Sequence, residues 1–155
     1  MRRKRNYKRD YRPDPQHNNI ALGRFINYIM EDGKKFVAEK IVYNTFNIIK
    51  QKTGLEPLAV FEKALENVSP VMEVGTRRIG GANYQVPREV RPSRKFVLAC
   101  RWIIGAAQAK KGSPMAARLA EEIIAASKNE GSAIKKKQDT HRMAEANRAF
   151  AHFAI

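Results

Sequence analysis

Val71-Met72-Glu73-Val74-Gly75-Thr76-Arg77-Arg78-Ile79-Gly80-Gly81-Ala82-Asn83-Tyr84-Gln85-Val86-Pro87-Arg88-Glu89-Val90-Arg91-Pro92-Ser93-Arg94-Lys95 is the stretch whose reading decides the fold. Two short runs flank Gly80-Gly81, a pair able to take positive φ at both central positions of a two-residue hairpin turn. Val71, Met72, Val74, Thr76, Ile79, Tyr84, Val86 and Val90 supply the β-branched and apolar content of two strands. A two-stranded ribbon alone is marginal in water, so this one must lean on helices or on a partner. Arg77, Arg78, Arg88, Arg91, Arg94 and Lys95 crowd the same stretch, with Glu89 as the acidic neighbour after the turn. Read by itself, it is a basic finger that reaches into nucleic acid.

Working outward, the patterning on both sides is helical. Before the hairpin, Leu22, Phe25, Ile26 and Ile29 predict a helix from Ile20 to about Glu31, capped by Asn18 or Asn19, with Gly33 as its C′ residue. Ala38, Ile41, Val42, Thr45, Phe46 and Ile49 predict a second from Phe36 to about Lys52, ended by Gly54. Pro57 opens a third, with Leu58, Phe61, Ala64, Leu65 and Val68 inward, and Ser69-Pro70 stops it. After the hairpin, Pro92 or Ser93 starts a fourth, with Cys100 as a small buried hydrophobe, and Lys110-Lys111-Gly112 closes it. Ser113 as N-cap with Pro114 at N1 opens a fifth, running to about Ser127. Its Glu121 and Glu122 read as a solvated face. Ser132 caps the last helix, read as one long element whose Met143, Ala146, Phe150 and Phe153 form an apolar anchor side. Its other face carries Lys135, Lys136, Lys137, His141, Arg142 and Arg148.

The expected fold is therefore mainly α. About six helices form one domain over residues 20–155, with a protruding two-stranded β-hairpin at about 71–90. Residues 1–19 form a basic, extended N-terminal arm. There Arg2, Arg3, Lys4, Arg5, Lys8, Arg9 and Arg12 are interleaved with Tyr7 and Tyr11, and Pro13 and Pro15 keep the chain extended. Cations between aromatic rings suit phosphate pairing with base stacking.

Composition names the class of partner. At 155 residues and 43% apolar content the chain can bury a core without metal or disulfide support. A net charge of +15 repels itself unless a polyanion neutralises it, and nucleic acid is the fitting polyanion, ahead of an anionic membrane. No run approaches the roughly 18 apolar residues of a membrane span, and the basic start has no apolar stretch after it. One cysteine permits no internal disulfide, which suits a reducing compartment, so the cytosol is the default. His17, His141 and His152 lack metal-ligand spacing, no serine sits in a nucleophile elbow, and no phosphate-cradling loop is present. No metal, cofactor, catalytic residue or small-molecule substrate is expected. The expected phosphate contacts are the arm cations, the Lys34-Lys35 corner, Arg77, Arg78, Arg91 and Arg94 at the hairpin base, Lys110, Lys111, and Lys135, Lys136 and Lys137 on the last helix.

Several ordered motifs resemble one family. D-G-K-K at 32–35, P-L-x-V-F-E-K-A-L-E-N-V at 57–68, R-R-I-G-G-A-N-Y-Q-V-P-x-E-V-R-P at 77–92 and K-K-x-D-T-H-R-M-A-E-A-N-R-A-F-A-H at 136–152 are similar to the bacterial-type small-subunit ribosomal protein seven, over essentially the whole chain. The resemblance implies a helical domain with a protruding hairpin that binds the 3′ major domain of 16S rRNA and nucleates assembly of the subunit head. It also implies a place at the subunit interface near exit-site tRNA and the mRNA path, with small-subunit proteins nine and eleven as neighbours, in the cytoplasmic ribosome. By that resemblance the hairpin tip, Ile79, Gly80, Gly81, Ala82 and Asn83, with Tyr84, and His141, Arg142 and Arg148 of the last helix lie near tRNA or mRNA. Gly75 departs from the family, relatives often carrying a basic residue there, and so does the Phe153-Ala154-Ile155 ending. A free-standing RNA-binding regulator or assembly factor is the alternative reading, and an RNA-acting enzyme is a third.

Overall fold

The structure, a computed structural model, describes residues 10–153. The arm cations from Arg2 to Arg9, and Tyr7, fall outside the described residues. Two compact units divide the chain, one up to Lys40 and the other from Ile41.

In the first unit the chain turns at 15–17 and does not run straight through its prolines. Asp14 is the reason. Its buried carboxylate accepts the amides of Gln16 at 3.1 Å and His17 at 3.0 Å, and its own carbonyl takes the Asn18 N–H at 2.8 Å. A short polar side chain that bonds amides two and three residues on is a turn-former in its own right. Helix α1, Ile20–Ile29, then starts with Asn19 accepting the Leu22 amide at 3.0 Å. It stops two residues short of the expected Glu31, because Met30 is already extended, at φ −60 and ψ 129. Gly33 consequently lies in the following turn and is not the C′ residue of α1. Helix α2, Lys35–Thr53, follows.

The second unit takes α2 from Ile41 onward and adds α3 (Pro57–Val68), strands β1 (Met72–Ile79) and β2 (Ala82–Glu89), α4 (Pro92–Ala109), α5 (Met115–Ser127), α6 (Ser132–Ala146) and a 3-10 helix, Arg148–Phe153. Val42, Phe46, Ile49, Phe61, Val68, Cys100, Ile103, Leu119 and Ile123 are buried to 3% exposure or less. Phe46 and Phe61 meet with ring centroids 6.0 Å apart. Helix α3 packs on α5, α4 on α5 and α6, and α6 on β1. Pro57 and Pro92 stand at helix starts, where the missing amide costs nothing.

Polar seams fix the ends of these helices. Asn67 donates to the carbonyls of Ala126 (2.9 Å) and Ser127 (3.0 Å), which terminates α5, and its own carbonyl accepts Lys137 Nζ at 2.6 Å. Glu122 is not on a solvated face. It is 1% exposed, accepts the Ala133 amide at 2.9 Å and lies 3.3 Å from Lys110 Nζ, while its neighbour Glu121 stays half-exposed. A buried carboxylate needs such partners, and the start of a helix is where a negative charge is favoured. Glu122 thus takes the capping role expected of Ser132, and Gly131, at φ 95, occupies the N-cap position. A Cβ on Gly131 would stand 2.8 Å from Glu122 Oε1, so both its φ and its surroundings select glycine. Pro114 likewise sits at the N-cap of α5, one residue later than the reading that placed Ser113 there.

The last segment is two elements. α6 ends at Ala146, Asn147 turns its side chain to the Met143 carbonyl at 2.8 Å, and the 3-10 helix follows. The expected Met143–Ala146–Phe150–Phe153 stripe is broken by that change. Ala133, Ile134, Thr140 and Ala144 form the buried face of α6, and Met143 is 49% exposed.

Candidate nucleic-acid interface

Gly80 and Gly81 take φ of 57 and 89, the two positive values a tight hairpin turn demands, and the strands pair antiparallel from Ile79↔Ala82 back to Met72↔Glu89. Gly75↔Val86 lies within an unbroken register. Alternation then sorts the side chains. Glu73, Arg77, Ile79, Ala82, Tyr84 and Arg88 share one face; Arg78 and Asn83 pair on the other.

The first face is organised by one carboxylate. Glu73, 7% exposed, accepts Arg88 Nε at 2.9 Å and Arg94 Nε at 2.8 Å on Oε1, and takes Arg88 Nη2 at 2.7 Å. Its Oε2 holds Arg94 Nε at 2.7 Å. Such charge-assisted bonds offset the desolvation of the carboxylate and fix the planes of both guanidinium groups, whose side chains remain about half exposed. Arg88 lies across the strand at Gly75, where a Cβ would stand in ordinary contact, 3.5 Å from the guanidinium carbon.

Nearer the tip, Tyr84 meets Phe150 and Phe153 with centroids 5.3 and 5.6 Å apart, and Arg77 Nη1 donates to the Phe153 carbonyl at 2.5 Å. The 3-10 helix therefore lies along the Glu73 face. Between them opens a cavity of about 760 Å³, lined by Gly75, Arg77, Val86, Arg88, Arg94 and Ala151 among others.

The remaining predicted contacts fall into exposed and engaged groups. Arg78, Arg91, Lys111, Lys135, Lys136 and Arg148 are exposed, as are Gly80, Gly81, Ala82 and Asn83 of the tip. Lys34 and Lys35 are exposed and pair loosely with Asp32 at 3.5 Å and Glu39 at 3.8 Å. Arg142, 3.8 Å from Asp139, is 81% exposed. Lys110 is drawn inward to Glu121 and Glu122, and Lys137 to the Asn67 carbonyl, where burial pushes its pKa below the usual lysine value. His141 Nε2 accepts the Val71 amide at 3.0 Å, tying α6 to the hairpin root. Burial first, and the Lys137 charge second, lower its pKa. In the first unit Arg24 stacks over Tyr11 at 4.5 Å, so this arm tyrosine has a cation for a neighbour.

Sequence reading passes over Glu73, and it counts Arg88 among the finger's cations without placing it among the expected phosphate contacts. Counting back from a two-residue turn places Glu73 opposite Arg88, so the register itself carried the signal. Chemically, the surface offers fixed guanidinium forks, free lysines and an exposed tip. Among the described residues no cluster of His, Cys, Asp or Glu could hold a metal, and no helix is long and apolar enough to cross a membrane.

Residues 1–148 match the family described as ribosomal protein S7p/S5e. Among similar proteins, the small ribosomal subunit protein uS7 of Thermotoga maritima is 60% identical over 153 residues, covering 99% of each chain. The proteins of that name from Caldanaerobacter subterraneus subsp. tengcongensis and Thermodesulfovibrio yellowstonii are each 56% identical over 146 residues, 94% of this chain and of their own.

Proposed function

This chain belongs to the ribosomal protein S7p/S5e family, and from that premise we propose that it is a primary rRNA-binding protein of the small subunit. It is a structural constituent of the cytoplasmic ribosome. It binds the 3′ major domain of 16S rRNA, nucleates assembly of the head and sits at the subunit interface near exit-site tRNA and mRNA, beside small-subunit proteins nine and eleven. It works without cofactor or catalysis.

The observation that carries this reading is the arrangement of charge on the hairpin and α6. Glu73 holds Arg88 and Arg94 in fixed planes while Arg78, Arg91, Lys135, Lys136 and Arg148 remain exposed on neighbouring elements. Guanidinium groups that are already oriented lose little freedom on meeting phosphate, and cations on separate elements can bind several RNA helices at once. Double-helical RNA hides its major groove, so shape, phosphates and 2′-hydroxyls carry most of the recognition. The exposed tip is left to meet tRNA or mRNA.

Chemical footprinting of the purified protein on naked 16S rRNA tests the proposal. Protections confined to the 3′ major domain are expected. Protections scattered over the other domains, or none at all, would overturn it.

A further inference from the structure

We infer that the cavity at the hairpin root takes one unpaired nucleotide of RNA, its phosphate held by Arg88 and Arg94. The inference deepens the rRNA-binding reading and rests on it. Four observations converge on this site. The cavity, about 760 Å³, falls within the roughly 300–1,000 Å³ usual for small-ligand sites. Its lining comes from three elements, the hairpin, the start of α4 and Ala151 of the 3-10 helix, and a recess bounded by several elements admits a splayed-out nucleotide but not the side of a double helix.

The chemistry of the lining is divided in the same way as that of a nucleotide. Arg88 and Arg94 are bound to Glu73 through their Nε atoms, which leaves Nη1 of Arg88 and both Nη atoms of Arg94 beyond the bonds just described. These are the atoms with which a guanidinium meets phosphate. Val86 and Ala151 give the apolar lining on the Glu73 face, while Met72, Pro87 and Glu89, which alternate to the other face, border its edge. Gly75 is the fourth observation. It lines the cavity, its φ is not in the left-handed region, and a Cβ there would meet the Arg88 side chain at an ordinary 3.5 Å, so a longer branched side chain would enter the space that Arg88 borders.

The test compares a short single-stranded RNA with the blunt duplex of the same sequence, titrated against the full chain by fluorescence anisotropy. Gly75→Val adds bulk to the cavity without changing charge, and valine suits a strand. It should weaken single-strand binding roughly ten-fold, the loss of about one well-placed base contact, and leave duplex binding unchanged. Arg94→Lys, which keeps the charge but removes the fork, should weaken single-strand binding more than duplex binding. Arg78→Ala, on the opposite face, should lower both affinities alike. If Gly75→Val binds both RNAs as the parent does, or loses both equally, the cavity is not an entry site and the inference fails while the rRNA reading stands. Failure of the parent chain to bind any RNA would instead sink the rRNA reading. Unfolding midpoints of each variant identify any loss due to misfolding, and Arg94→Lys decides if Gly75→Val does not fold.

Discussion

At the hairpin root a nearly buried carboxylate binds two arginines, and His141 ties the first residue of the segment to α6. At the tip, Gly80 to Asn83 are exposed and the backbone is held by turn geometry and strand pairing. Charge at the root is oriented by the protein before any ligand arrives; Arg78, close to the tip on the opposite face, is exposed to solvent. The comparison teaches that one basic hairpin can serve two purposes. An oriented cation gives geometry-dependent recognition, and a solvated one gives general, salt-sensitive attraction.

The largest effect should come from breaking the root. Glu73→Gln leaves Arg88 and Arg94 facing each other without an anion. Removing one partner of a buried ion pair costs several kcal/mol, but both arginines are about half exposed, so about 2 kcal/mol of unfolding free energy is the discounted expectation. Urea denaturation measures it, and an unchanged midpoint would mean that Glu73 does not organise this end. Tyr84→Ala comes next. It removes the ring contacts with Phe150 and Phe153, at a cost of about 1–2 kcal/mol, and the loss should be local. Amide exchange would quicken at 148–153 while the α3–α5 core stays protected.

Gly80→Ala probes the other side of the comparison. Alanine in the left-handed region costs roughly 1 kcal/mol, confined here to the hairpin. Exchange of the strand amides should rise, with rRNA affinity nearly unchanged. Arg78→Ala should be smaller still in stability, within about 0.5 kcal/mol, yet reduce the log–log salt dependence of RNA binding by about 0.9. The weakest lever is pH. Because the folded state lowers the pKa of His141, the unfolded state binds the proton more readily. The stability this contributes is present above the ordinary value of 6.5 and is lost as pH falls from there through the lowered value. His141→Asn should flatten that part of the stability–pH curve, and the change should appear first at the Val71 amide.

Much of this organisation was legible beforehand, for reasons the residues themselves supply. Gly80-Gly81 between two β-prone runs admits few conformations, so the hairpin and its turn followed directly. Pro57 and Pro92 marked helix starts because proline is tolerated there and resisted further in. Helix ends fixed by partners distant in sequence were less legible. Ser132 looked like a cap, but Glu122, eleven residues from Ala133, supplies the acceptor. Glu121 and Glu122 looked alike, and only packing separated an exposed side chain from a buried one. At the interface, counting charges found the arginines but not their orientation, because Glu73 counts merely as one negative charge until the register sets it opposite Arg88. The long terminal helix failed as an expectation at Asn147, whose side chain satisfies the end of α6 where a spacing rule sees only continued periodicity.

The bond between Glu122 and the Ala133 amide also has a consequence beyond the cap itself. α6 is a polar helix of fifteen residues, close to the length at which isolated helices are marginal in water. Its first turn is completed by an acceptor that α5 presents, so the placement of the α6 lysines is coupled to the packing of α5. Loosening α5 should therefore loosen the basic face of α6 as well, and with it the surface offered to a polyanion.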